Sequence, residues 1–86
     1  MDVELALMQE ATWAARAMIA NDKKAEQDIR SLYARYRPRN GVSLHCPKCW
    51  MRESLQSTLR SVPGTNDYDM LRCNNDACAA DIVVPI

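Results

Sequence analysis

The sequence predicts an α+β chain in two parts: a helical segment over residues 1–38 and a small, metal-stapled strand domain over residues 39–86. Three observations carry this prediction. Residues 1–37 contain no Gly and no Pro and are rich in Ala, Leu, Met, Glu, Lys, Arg and Gln, all good helix formers. Residues 39–86 instead carry turn signals and short β-type runs. All four cysteines fall in this second part, as two close pairs. A chain of 86 residues buries little core, so a metal, disulfides or oligomerisation is expected to supply stability.

The helical part begins at Asp2, a capping residue, with Glu4 suited to the positive end of the helix dipole. An apolar stripe runs through Val3, Leu7, Ala11, Ala14, Met18, Ala25, Ile29, Leu32 and Tyr36, mostly in steps of three or four. Met8, Ala15 and Ile19 widen it, and Arg37-Pro38-Arg39-Asn40-Gly41 ends the helix. Two readings are open. One is a single long or gently kinked helix. The other is a helical hairpin broken at Asn21-Asp22, with Asp22 capping a second helix. A lone amphipathic helix needs a surface for its apolar face. Leu7, Met18, Ile29, Leu32 and Tyr36 are therefore expected to meet a partner, either a second copy in a homodimer or a target protein. Trp13 lies off this stripe, as an interface anchor or as part of a second packing surface in a hairpin.

In the second part Val42 and Leu44 alternate before the first cysteine pair. Asn40-Gly41 and Pro63-Gly64 mark turns. Tyr68, Met70 and Arg72 lead into the second pair, and Ile82, Val83 and Val84 leave it. The expected plan is strand, knuckle, strand, hairpin loop, strand, knuckle, strand. Cys46-Pro47-Lys48-Cys49 is a C-x2-C knuckle and Cys73-Asn74-Asn75-Asp76-Ala77-Cys78 a C-x4-C knuckle, with 23 residues between them. Two close cysteines on a tight turn give one edge of a tetrahedron, and a second pair returned by a hairpin gives the other. Cys46, Cys49, Cys73 and Cys78 are thus expected to hold one structural Zn2+ in a zinc ribbon, with no coordination position left for catalysis. A rubredoxin-type iron centre is the main chemical competitor. His45 reads as a strand residue beside a full ligand set, and Trp50 as a shield over the metal.

The stretch HCPKCW…LRCNNDACAADIVV resembles the Ogr/Delta family, small zinc-finger activators of late genes in temperate tailed phages. The resemblance rests on the Cys46-Pro47-Lys48-Cys49 opening, on Cys73-x-Asn75-x-x-Cys78, on the length between them and on the β-type run that follows. It covers residues 44–84. It implies zinc on the four cysteines and a transcription-related phage or prophage setting. Two departures limit what else it carries: helical residues precede the finger here, and residues 52–60 are less basic than the stretch that follows the family's first knuckle.

Charge is uneven along the chain. Residues 1–22 carry one Arg against four acids; residues 23–39 carry six basic residues against two acids; residues 40–86 carry four against five. No chain-wide basic signature for nucleic acid exists, only a local one. Arg35, Arg37 and Arg39, with Lys48, Arg52 and Arg60 of the second part, are the candidate DNA contacts. Their bland alternatives are a solvated helix face, cations at a helix C-terminus, and neutralisation of a doubly negative metal–thiolate centre. A single His, and no nucleophile elbow or phosphate loop, argue against an enzyme. No secretory signal or membrane span is visible, so a cytoplasmic protein with reduced cysteines is expected. Two functions are carried forward: a DNA-binding or transcription-regulating protein, and a protein-binding adaptor or inhibitor on a zinc-stabilised scaffold.

Overall fold

A computed structural model describes residues 2–78 and 80–85. The chain is mixed helix and sheet. Helix α1 spans Val3–Asn21, a 3-10 turn spans Lys23–Ala25, and helix α2 spans Glu26–Arg35. Strands β1 (Arg39–Asn40) and β2 (Ser43–Leu44) form a tight hairpin, followed by helix α3 (Pro47–Glu53). Strands β3 (Leu59–Val62), β4 (Tyr68–Cys73) and β5 (Asp81–Pro85) form an antiparallel sheet in that order.

The helical part is the broken form. Asp2 caps α1, its carboxylate accepting from the Glu4 amide at 2.9 Å. The break is at Asp22, which is extended (φ −146°, ψ 93°) and accepts from the Lys24 amide at 3.0 Å. A short acidic side chain that bonds its own backbone two residues on offers the chain an alternative to helix. The apolar stripe steps past this position without revealing it. Helix α2 stops at Tyr36, two residues before Pro38, and the Arg37 guanidinium donates to the Ala34 and Tyr36 carbonyls at 3.0 Å each.

Folding back at Asp22 lets the chain cover its own stripe. One core cluster packs Ala6 and Leu7 of α1 on Leu71, Ile82 and Val84 of the sheet. The other gathers Ala11, Ala15, Ile29, Tyr36 and Met51 from all three helices, with Met18 and Leu32 half-buried against it. The Tyr36 hydroxyl donates to the His45 carbonyl at 2.7 Å, pinning the end of α2 to the start of the cysteine-bearing part. This corrects the expected partner face. Leu7, Ile29 and Tyr36 are buried within the chain, and Met18 and Leu32 line the same core. The surface left open lies on the other side of α1, where Leu5 is 53% and Trp13 58% exposed. Trp13 is therefore no packing residue of the helical hairpin.

A second correction concerns the first knuckle, which is helical. Pro47 occupies the first turn of α3, where its fixed φ fits and its missing N–H costs nothing. Trp50 consequently points away from the cysteines. It joins the helical core, and its indole N–H donates to the Leu32 carbonyl at 2.8 Å. The β3–β4 loop depends on Gly64: a Cβ there would sit 2.5 Å from the Tyr68 carbonyl oxygen, which accepts from the Thr65 amide.

Candidate metal centre

The two knuckles meet where α3 abuts the sheet. Cys46 precedes α3 and Cys49 lies in its first turn; Cys73 ends β4, and Cys78 follows a turn beyond it. Backbone bonds fix this arrangement. The Cys46 amide donates to the Ser57 carbonyl at 2.7 Å, the Cys73 amide to the Ala80 carbonyl at 3.0 Å, and the Asn74 amide to the Thr58 carbonyl at 2.9 Å.

The four sulfurs all lie within 4.8 Å of one another. Cys46 Sγ is 3.9 Å from Cys78 Sγ, and Cys49 Sγ is 3.5 Å from Cys73 Sγ. Metal–sulfur bonds of about 2.3 Å in a tetrahedron require sulfur–sulfur edges of about 3.8 Å. The observed pairs bracket that value. Both are far longer than the roughly 2.05 Å of a disulfide. The donor set and its spacing therefore fit one tetrahedral metal ion. Cys46, Cys49 and Cys73 are buried, while Cys78 is half-buried and forms the open edge.

The thiols differ in how readily they ionise. Burial pushes Cys46 well up, with the Cys73 and Cys49 thiols adding to the effect. Burial also raises Cys73, assisted by its hydrogen bond with Cys49. At Cys49 burial acts in the same direction, but hydrogen bonds with Ser57, Cys78, Cys73 and Asn75 outweigh it and bring the thiol down. Four thiolates packed this closely repel one another, and a divalent cation between them removes that cost.

Asn75 is the residue whose role the sequence did not reveal. Its side-chain amide donates to Cys49 Sγ at 3.7 Å, and its backbone amide to Cys73 Sγ at 3.4 Å. Its side-chain oxygen accepts from the Ala77 amide at 3.1 Å, and its carbonyl from the Cys78 amide at 3.0 Å. One side chain thus ties the second knuckle to a sulfur of the first. The sequence signals are its place in the Cys73-x-Asn75-x-x-Cys78 pattern and its position two residues after a cysteine, where a backbone N–H can reach back to the sulfur.

The candidate DNA contacts do not gather in one place. Arg35 donates to the Ser31 carbonyl at 3.4 Å, Arg37 caps α2, and Arg39 pairs with Glu4 at 3.6 Å. Lys48 and Arg52 line a shallow cleft of about 70 Å³ over the knuckles, together with Cys49, Glu53, Asn75 and Cys78. Arg60 donates to the Asn74 side chain at 3.1 Å, beside the same knuckle. His45 takes part in backbone pairing and is not among the gathered ligands. No described helix is long and apolar enough to cross a membrane. No family model, curated protein or solved structure matches the chain.

Proposed function

We propose that the chain is a non-enzymatic protein-binding module held together by one structural zinc ion. Four thiolates at tetrahedral spacing suit zinc, fill its coordination sphere and leave no position for a substrate or activated water. By zinc-finger precedent the ion contributes on the order of 10 kcal/mol to folding. It joins α3 to the sheet, and so fixes the platform on which α1 lies. Native mass spectrometry of protein folded with Zn2+ or Fe2+ offered together tests the metal. One zinc per chain is expected; a red-brown iron–thiolate protein would refute it.

The observation that carries the binding role is the outer face of α1. Its inner face is spent on the core, yet Leu5 and Trp13 stand 53% and 58% exposed on the outside. A large aromatic side chain in solvent is the kind of anchor that protein interfaces bury. Quantitative capture from the source cell, comparing wild type with Trp13→Ser at equal zinc content, tests this. Proteins retained by the wild type and lost with the variant are expected. Identical capture by both would remove the proposal.

A DNA-contacting role is the second reading. Lys48, Arg52 and Arg60 collect at the knuckle end, and the resemblance to phage activators favours it. Against it, a zinc–tetrathiolate carries two negative charges that the same cations offset. Anisotropy of a labelled duplex across a salt series decides this. Three phosphate contacts predict a log–log slope of about −2.7; no binding at low salt eliminates the reading.

A further inference from the structure

Helices α1 and α2 border an open groove of about 400 Å³. Ala15 and Ile19 supply apolar lining, Thr12 and Tyr33 polar lining, and Arg16 and Arg30 the charge. The hydroxyls of Thr12 and Tyr33 lie 3.0 Å apart. Since Thr12 donates to the Met8 carbonyl at 2.9 Å, the Tyr33 hydroxyl donates to Thr12. That consumes both hydroxyl protons, so the guanidinium groups are the groove's remaining donors.

Arg16 differs from most other arginines of the chain. Arg35, Arg37, Arg60 and Arg72 donate to acceptors on their own chain, and Arg39 pairs with Glu4. Arg16 has no hydrogen-bond or ion-pair partner among the described residues. Arg30 pairs with Glu26 at 3.5 Å through one of its terminal nitrogens and is itself 66% exposed. The groove thus presents an unpaired Arg16 and an exposed Arg30 held by a single carboxylate contact beside an aliphatic patch. An exposed ion pair alone contributes at most about 1 kcal/mol and is screened by salt. A ligand that binds here must therefore also bury an apolar group. A nucleic-acid strand fits poorly, because it needs a row of cations along the backbone and aromatic faces for the bases. A protein segment that combines carboxylates with aliphatic side chains satisfies both features. Trp13, exposed and three residues before Arg16 on α1, is a neighbour of Arg16 on the helix surface.

We propose that the α1–α2 groove docks an acidic amphipathic segment of the partner protein, with carboxylates on Arg16 and Arg30 and an aliphatic side chain on Ala15 and Ile19. This rests on the protein-binding reading above and names the chemistry of the partner.

The test is a titration of the zinc-loaded full chain, followed by 1H–15N NMR of backbone, arginine Nε and indole groups. The probes are acetyl-Glu-Leu-Glu-Glu-Leu-amide, its counterpart with every Glu replaced by Gln, and hexanoate. The acidic peptide is expected to move resonances of Thr12, Arg16, Ile19, Arg30 and Tyr33, and the indole of Trp13 more than that of Trp50. Its Kd is expected to rise about ten-fold or more with the Gln peptide, and likewise in the Arg16→Gln/Arg30→Gln double variant. The rest of that variant's spectrum and its zinc content should match wild type, which shows that the fold is intact. Absence of groove shifts at millimolar peptide, or equal binding by the Gln peptide, overturns the proposal. Hexanoate binding as tightly as the acidic peptide also overturns it, since the groove would then be a small-anion site. If capture depends on Trp13 while the peptide fails, only the groove assignment falls. If capture is also unaffected by Trp13→Ser, the protein-binding reading falls with it.

Discussion

Replacing Asn75 by Ala isolates the contribution of one uncharged side chain to the metal centre. The substitution removes the amide donor to Cys49 Sγ at 3.7 Å and the oxygen that accepts from the Ala77 amide at 3.1 Å. It keeps the backbone donor to Cys73 Sγ and the carbonyl that receives the Cys78 amide. Ala77 is exposed, so water takes over its amide and that loss is small. The sulfur contact matters more. A hydrogen bond to a charged group contributes about 1.5–3 kcal/mol, and the long distance places this one at the lower end. A loss of about 1.5–2 kcal/mol corresponds to roughly 10–30-fold in the metal dissociation constant. Competition against a chromogenic zinc chelator at fixed pH reads this directly. Asn75→Asp separates geometry from charge. It retains an acceptor for Ala77 but sets a carboxylate beside a doubly negative centre, so it should bind metal more weakly than Asn75→Ala. Zinc affinity of Asn75→Ala within two-fold of wild type, or Asn75→Asp as tight as wild type, would refute the assigned role.

Leu7→Ala opens a cavity between α1 and the sheet, because Leu7 is fully buried; a loss of about 2–5 kcal/mol in urea unfolding of the zinc form is expected. Gly64→Ala drives a Cβ to 2.5 Å from the Tyr68 carbonyl oxygen, so the β3–β4 loop must shift; backbone amide shifts concentrated at residues 62–70, with a lowered melting temperature, are expected. Cys73→Ser removes a buried candidate ligand and should abolish stoichiometric zinc binding and collapse the dispersion of the sheet resonances, as read by mass spectrometry and NMR. The exposed Arg72–Asp81 pair, at 2.8 Å, predicts a pH dependence of definite sign. Arg72 holds the Asp81 carboxyl below its ordinary value. Its contribution is therefore complete above the unfolded-state pKa and disappears as pH falls through the depressed native one. The difference in urea midpoint between wild type and Asp81→Asn should narrow toward zero on acidification, and a difference independent of pH would refute the pair's role.

Much of the metal centre was legible in the sequence because ligand chemistry is local. Two close cysteine pairs, separated by enough chain for a hairpin, point to the candidate ligands before any fold is known. The helical character of residues 3–35, the stop before Pro38 and the turn at Pro63-Gly64 were legible for the same reason. Each depends on the propensities of neighbouring residues. The helix at the first knuckle was not foreseen, although Pro47 followed by Met51, Arg52 and Glu53 favours a short helix as well as a turn.

The partner of the apolar stripe was not legible. Leu7 and Ile29 share one helical periodicity, yet one packs on the sheet and the other on α1 and α3. What separates them is the local bond of Asp22 to the Lys24 amide, which competes with helix by a margin no periodicity measures. Once the chain folds back there, its own sheet and third helix cover the face that seemed to need a second molecule. Trp13 and Arg16 are left outside. The sequence by itself determined which atoms could hold a metal and which residues are helical, because covalent spacing and local propensity decide those. Tertiary structure alone decided which face of α1 meets solvent, how Asn75 reaches Cys49, and that Arg16 and Arg30 line one groove. These depend on where distant segments pack, and that is set by the burial of the whole chain.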